Sequence, residues 1–295
     1  MSLPDLGTGA AGRAAPVHPV LPGATGAGKR LLLVPGLGQS AAHWGPFARW
    51  LASRDRALLA VDPGALAAQS AAPRGSYDRL REMAEALAAA CDEHGISGVL
   101  GHSAGAPAAL LTASLADFDT VTLIEPVPSH FAVHPAPRGP GTSGPDGPST
   151  SGPDVPGTSS GPDVPGNPGL VARPGDDPGE SLRRLHPLAA ETTLRAVTAA
   201  LAAVGPSPPP APPLPESARP LLRDRADRTG AALAAHRGRV VVLRGAHSAL
   251  LRRTDAETLA ARAADGELRV VERAGHSPHI DAPRATVAAF LGERP

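Results

Sequence analysis

The sequence predicts an α/β fold, a mostly parallel β-sheet flanked by helices and interrupted by a helical, partly disordered insertion. Three features carry that expectation. Short aliphatic runs without polar interruption recur along the 295-residue chain, as strands covered on both faces require. Stretches with helical spacing of apolar residues separate them, the alternation of a parallel sheet built from βαβ units. A long Pro- and Gly-rich tract breaks this alternation in mid-chain.

Residues 1–29 show no such periodicity and are read as a flexible N-terminal segment. Within them Gly23 to Arg30 nearly spells a P-loop, but Arg30 stands where Ser or Thr would hold magnesium, and the run leads into a strand rather than a helix. From there the aliphatic runs at 30–34, 57–61, 98–100, 121–124, 240–243 and 268–271 read as strands. The segments 41–53, 77–94, 104–114, 255–264 and 282–291 read as helices. A core built from 30–130 and 220–295 follows.

Between those halves, 131–219 reads as an insertion. Residues 135–169 hold 10 Pro and 9 Gly in 35 positions and repeat a Gly-Pro-Asp turn unit, with Val155 and Val164 the only large aliphatic side chains. Such a tract buries too little apolar surface to offset its chain entropy and is expected to be disordered. Residues 206–215 hold 7 Pro in 10 and read as an extended spacer. Leu185, Leu188, Ala189, Leu194, Val197 and Leu201 between the two tracts group on helical faces and predict one or two helices.

Composition narrows the function classes. Lys and Arg total 28 and so do Asp and Glu, so no basic field exists for nucleic acid or an anionic membrane. Cys91 is the only cysteine, which removes an intrachain disulfide framework and any cysteine-based zinc cluster; it is expected to be buried in the 77–94 helix. No apolar run reaches the roughly 20 residues of a membrane span, and the N-terminus lacks a signal-peptide pattern. The expectation is a cytoplasmic protein with no membrane partner; nothing in the sequence sets an oligomeric state.

The sharpest chemical signal is Gly101-His102-Ser103-Ala104-Gly105, a G-x-S-x-G between the strand ending at Leu100 and the helix beginning at Ala104. A serine on a tight strand-to-helix turn projects its Oγ above the sheet, and Gly101 and Gly105 let neighbouring backbone pass closely. The helix N-terminus adds positive potential, and the Ala104 NH is a candidate oxyanion donor. His102 fills the variable position of the motif, as a pocket-lining group or as packing at the helix start. Trp44, Phe47 and Trp50 fall on one helical face and read as core.

With these residues the sequence resembles the α/β-hydrolase superfamily. The stretch from Val34-Pro35-Gly36-Leu37-Gly38 to Trp44 looks like the loop after that family's third strand, with Pro35 where His is common. Ala60 to Gly64 looks like its fourth-strand turn, and Gly275-His276 like its histidine loop. The resemblance implies the α/β-hydrolase fold with 131–219 as a cap, a second oxyanion NH from Leu37, a Ser103 nucleophile and a His276 general base. The alternative for His276 is a loop histidine pairing with His279 on a metal, without the carboxylate cluster that would support one.

The acid of the triad departs from the common pattern, because the turn from Gly245 to Leu250 contains no carboxylate. Glu125 ends the preceding strand, which the family's strand order puts between the nucleophile strand and that turn. Some members resemble this, combining an acid there with a serine-containing turn on the next strand. Glu125 is the expected acid and Asp255 the alternative.

The implied activity is serine hydrolysis of an ester or related acyl bond in a small-molecule substrate, with no cofactor and no metal. Amide, thioester or vinylogous carbon–carbon cleavage would use the same parts. Two other readings stand beside it: a non-catalytic ligand-binding protein on the same fold, and an acyltransferase. Seven aromatic residues in the whole chain suggest an aliphatic-lined pocket.

Overall fold

The computed structural model describes residues 14–21, 28–133, 177–204 and 214–293. Its strands are β1 (Val17–Pro19), β2 (Lys29–Val34), β3 (Arg56–Val61), β4 (Ile96–His102), β5 (Thr120–Ile124), β6 (Arg239–Gly245) and β7 (Asp265–Val271). They form one seven-stranded sheet in the order β1-β3-β2-β4-β5-β6-β7. Every pairing is parallel except that of β1, which runs antiparallel to β3 with Val17 opposite Val61. This is the α/β-hydrolase fold.

The alternation of side chains along each strand explains why the runs are aliphatic on both faces. Leu32, Val34, Val99, Val121, Leu123, Val240 and Val242 enter one buried cluster. Leu31, Leu33, Leu58, Leu100, Ile124, Val241 and Leu243 enter another on the opposite face. Helices α3 (Tyr77–His94), α4 (Ala106–Leu115), α7 (Arg219–Ala235) and α8 (Arg253–Arg262) cover the first face; α1 (Gly45–Ala52) and α10 (Pro283–Leu291) cover the second. The remaining helices are α2 (Pro63–Ala68), α5 (Pro178–Leu185), α6 (Glu191–Val204) and α9 (Pro278–Asp281).

Prolines and caps account for where the helices differ from the sequence expectation. The segment 41–53 divides into a 3₁₀ turn at Ala41–Trp44 and α1, because Pro46 lacks an NH and is suited to a helix start. Pro283 likewise opens α10 and separates it from α9. Ser76 caps α3 by accepting the Arg79 NH at 3.2 Å, and Gly95 closes it at φ 59°, the left-handed conformation glycine adopts without strain. Cys91 is buried in α3, and burial pushes its thiol up to about 12.

Several elements have no counterpart in the sequence reading, the short helices α2 and α9 among them. Part of the stretch expected to be flexible, 1–29, holds strand β1 on the sheet edge. The segment 219–235 is helix α7, whose pattern is obscured by Pro220, by four arginines and two aspartates of mixed sign, and by Gly230. Gly230 is needed there: a Cβ would lie 2.7 Å from the carbonyl oxygen of Phe131.

Of the expected insertion, α5 and α6 are described, and Leu182, Leu194 and Val197 on them pack with Ile280 of α9. The Pro/Gly tract at 135–169 and the spacer from 206 to 213 lie outside the described residues, as does the near-P-loop from 23 to 27. Among the described residues no helix is long and apolar enough to cross a membrane. Trp44 and Phe47 are fully buried, whereas Trp50 is 37% exposed, so the aromatic face divides between core and surface.

Leu100 sits fully buried on the central strand β4. Replacing it by alanine is expected to remove about 2–5 kcal/mol of stability through lost burial and a residual cavity. Urea denaturation measures this; a loss below about 1 kcal/mol would contradict the tight packing of that layer.

Candidate active site

The end of β4 turns sharply. Ser103 adopts φ 49°, a left-handed conformation rare for a residue with a side chain, and opens a 3₁₀ turn at Ser103–Gly105 that leads into α4. Such strain costs on the order of 1–3 kcal/mol and persists only where the surroundings enforce it. They do so through absent side chains. A Cβ on Gly105 would lie 2.3 Å from the Val34 oxygen and 2.5 Å from that of Pro35; one on Gly101 would lie 2.6 Å from both Ala106 Cα and Ala109 Cβ.

The loop after β2 crosses directly over this elbow. A Cβ on Gly36 would be 3.1 Å from Ser103 Cβ, so Leu37, the next residue, begins beside the serine. The loop is tightened by the Gln39 NH donating to the Gly36 oxygen at 3.2 Å and by Gly38 at φ 73°. Leu37 itself is 68% exposed, so its side chain faces outward at the mouth of the elbow. Ala104 follows Ser103 at the start of the helical turn.

Glu125 terminates β5, next to β4, and is fully buried. Like Ser103 it has positive φ, 48°. Its Oε1 accepts the Gly245 NH at 2.7 Å; its Oε2 accepts the Ser248 hydroxyl at 2.6 Å and faces His276 Nδ1 at 3.0 Å. A buried charge demands such donors. His276, on the loop after β7, completes a chain: its Nε2 lies 3.0 Å from Ser103 Oγ. Because a carboxylate only accepts, Nδ1 carries the imidazole proton and Nε2 presents its lone pair to the serine hydroxyl.

The turn that supplies Ser248 is held by Arg244, 9% exposed, whose guanidinium donates to the carbonyl oxygens of Leu251 at 2.8 Å, Ala246 at 3.2 Å and Ser248 at 3.5 Å. The Leu251 NH in turn donates to Ser248 Oγ at 3.1 Å, leaving the hydroxyl proton for Glu125. Ser248 was visible in sequence as a serine-containing turn. Arg244 gave no signal, being one arginine among many.

Asp255 stands elsewhere. It lies in the first turn of α8, and both its oxygens accept from Arg252, at 2.8 and 2.7 Å. Nor do His276 and His279 converge on a common point: His276 is engaged at both nitrogens, while His279 lies fully buried, stacked on Trp44 with ring centroids 3.6 Å apart. Gln39 bridges that pair, accepting from Trp44 Nε1 at 3.3 Å and reaching His279 Nε2 at 3.4 Å.

More histidines surround this stack. His102 lies edge-on to His279 with ring centroids 4.9 Å apart. His43 accepts the Ser40 NH on Nδ1 at 3.1 Å. His186, which closes α5, stands 3.6 Å from Asp281, whose other oxygen accepts the Gly275 NH at 2.7 Å, one residue before His276. Burial, reinforced by His186, lowers His43 to about 4. Burial also holds His102 and His279 well below the ordinary imidazole range, with their histidine neighbours adding to it.

Comparison with known proteins agrees with this fold. A family model described as the alpha/beta hydrolase family matches residues 31–290. No curated protein matches the chain. Among solved structures, the chain is similar to an N-formylmaleamic acid deformylase variant from Pseudomonas putida S16, at 19% identity and TM-score 0.55, over 93% of this chain and 94% of that one. It is similar to an esterase from Mycobacterium tuberculosis at 20% identity and TM-score 0.55, over 95% and 91%. It is also similar to E-2-(acetamidomethylene)succinate hydrolase at 17% identity and TM-score 0.56, over 94% and 93%.

The neutral histidines make stability depend on pH. In the unfolded chain His43 titrates near 6.5, in the folded protein at about 4. Above 6.5 neither state binds the proton and the contribution is complete; as pH falls toward 4 the unfolded chain protonates first and stability is lost. His102 and His279 act in the same direction. Urea midpoints are expected to fall steadily from pH 7 to pH 4.5, by up to about 1.4 kcal/mol per pH unit per group, with a shallower fall in His43→Gln. A flat profile would contradict the buried neutral cluster.

Proposed function

Because the chain belongs to the alpha/beta hydrolase family, we propose that it is a serine hydrolase cleaving an ester or related acyl bond of a small molecule through an acyl-enzyme. The observation that carries this reading is the unbroken chain of hydrogen bonds from Ser103 Oγ to His276 Nε2 and from His276 Nδ1 to Glu125 Oε2, each 3.0 Å. Ser103 Oγ attacks the acyl carbon as His276 Nε2 takes its proton. Glu125 holds the imidazole in the tautomer that accepts at Nε2 and stabilises the imidazolium that forms.

Charge then develops on the acyl oxygen. The NH groups of Leu37 and Ala104 are its donors in this proposal, one from the loop crossing the elbow and one from the start of the helical turn. Collapse of the tetrahedral intermediate expels the leaving group, which takes the proton back from His276. Water enters, gives a proton to His276 and releases the acid in the same way.

Two features support Glu125 over Asp255 as the acid. Glu125 has its carboxylate on His276 with two further donors fixing it, and Asp255 has both oxygens on Arg252. The non-catalytic reading rests on the absence of an acid from the turn after β6 and on the low-complexity insertion; Glu125 on the adjacent strand end weighs against the first of these.

The test combines intact mass after a fluorophosphonate probe with turnover of p-nitrophenyl acetate. Wild-type protein is expected to gain one adduct and Ser103→Ala none. Glu125→Gln is expected to lower turnover by about 10³–10⁴-fold, by analogy with the loss of an orienting acid in other triads, while Asp255→Asn leaves it unchanged. Folded wild-type protein that takes no label would overturn the hydrolase reading, and the opposite response of the two acid variants would move the role to Asp255. Product analysis with competing alcohols separates hydrolysis from acyl transfer.

A further inference from the structure

His102 occupies the variable position of the elbow motif, and packing at a helix start would account for any side chain of suitable shape there. Its polar atoms do more. His102 is 2% exposed, and its Nε2 lies 3.0 Å from the main-chain oxygen of His276. A carbonyl oxygen only accepts, so Nε2 carries the proton and Nδ1 the lone pair. Nδ1 has no hydrogen-bond partner among the described residues and faces Gly36, where a Cβ would come within 2.6 Å of it.

The ring is thus wedged among the pieces of the site. It follows the loop bearing Leu37 on one side, precedes Ser103 in the chain, and reaches the main chain of the general base. The rings of Trp44, His276 and His279 enclose it at centroid separations of 5.6, 5.1 and 4.9 Å. Burial and the facing histidines, His276, His186 and His43, oppose its protonation, so one tautomer with one donor persists.

We propose that His102 is a positioning residue that holds the main chain of His276 in register with Ser103 through its Nε2 hydrogen bond. Resting on the hydrolase reading above, this assigns the second anchor of the general base. Glu125 fixes the imidazole ring from Nδ1. The backbone that carries the ring is fixed at the Gly275 NH by Asp281 and at the His276 carbonyl by His102. Ring and backbone must both be held, because a displacement of about 1 Å between nucleophile and base costs on the order of a hundredfold in rate.

Three variants separate a donor from a filler. In His102→Gln the amide nitrogen takes the place of Nε2 and can still donate; His102→Leu fills the space without a donor; His102→Asn is polar but too short to reach the carbonyl. Three readouts apply: the fluorophosphonate labelling rate, kcat and KM on p-nitrophenyl acetate, and the low-field Nδ1 proton of His276 by NMR. His102→Leu is expected to lower labelling and kcat about 10–100-fold with KM nearly unchanged, and to speed exchange of the His276 proton. His102→Gln is expected to recover most of both. Circular dichroism reports folding, and His102→Asn replaces the leucine variant if that one does not fold.

Wild-type rates and exchange in the donor-less variant would overturn the proposal, as would equal losses in the glutamine and leucine variants. Should wild-type protein resist the probe, the hydrolase reading falls, and the NMR exchange comparison still decides whether His102 holds His276.

Discussion

A fully buried carboxylate organises this site. Glu125 has no exposed surface, so its charge survives only if surrounding groups replace water. Its three donors come from two segments: the backbone at the end of β6 with the hydroxyl in the turn that follows, and the imidazole on the loop after β7. None is adjacent to Glu125 in sequence. Removing it would leave three polar groups turned toward an empty space, so the carboxylate fixes the two loops as much as it orients a histidine.

The same demand for close approach explains the strained backbone. Ser103 and Glu125 both sit at positive φ, on the adjacent strands β4 and β5, each at the point where the chain leaves the sheet. A strand that simply continued would carry either side chain to one face of the sheet. A left-handed residue at the exit aims it over the strand ends instead, toward the histidine loop. Gly245 has the complementary role: a Cβ there would come 2.2 Å from the Gly275 oxygen, so the β6 exit and the histidine loop touch backbone to backbone.

Much of this was legible in sequence because the fold and the elbow rest on local rules. Aliphatic strands, capped helices and G-x-S-x-G announce themselves within a few residues, and the observed strands lie within a few positions of the aliphatic runs. The proposed acid was harder to read, since its assignment depends on strand order rather than on neighbours; Glu125 was chosen only by asking which strand the family's usual order puts between β4 and β6. Helix α7 and strand β1 escaped, the first because mixed charge and Gly230 hide its apolar face, the second because three residues on a sheet edge carry almost no periodicity. The histidine cluster escaped for another reason. His43, His102, His186 and His279 come from four distant segments, and only the folded chain brings imidazoles together.

That cluster joins the core to the helices beyond it. Ile280 of α9 packs with Leu182, Leu194 and Val197 of α5 and α6, and Asp281 beside it faces His186 while holding the Gly275 NH. Part of the seat of α5 and α6 and the mount of His276 are therefore one short segment, the loop after β7 with α9. A change in how those helices rest would reach His276 through Asp281 and Gly275 before it reached Ser103, which is locked by glycine contacts to β2 and α4. Ser103 is built onto the end of the central strand β4. His276 is carried on a loop whose position is shared, and in the proposal above its main chain therefore has anchors of its own at both Gly275 and His276.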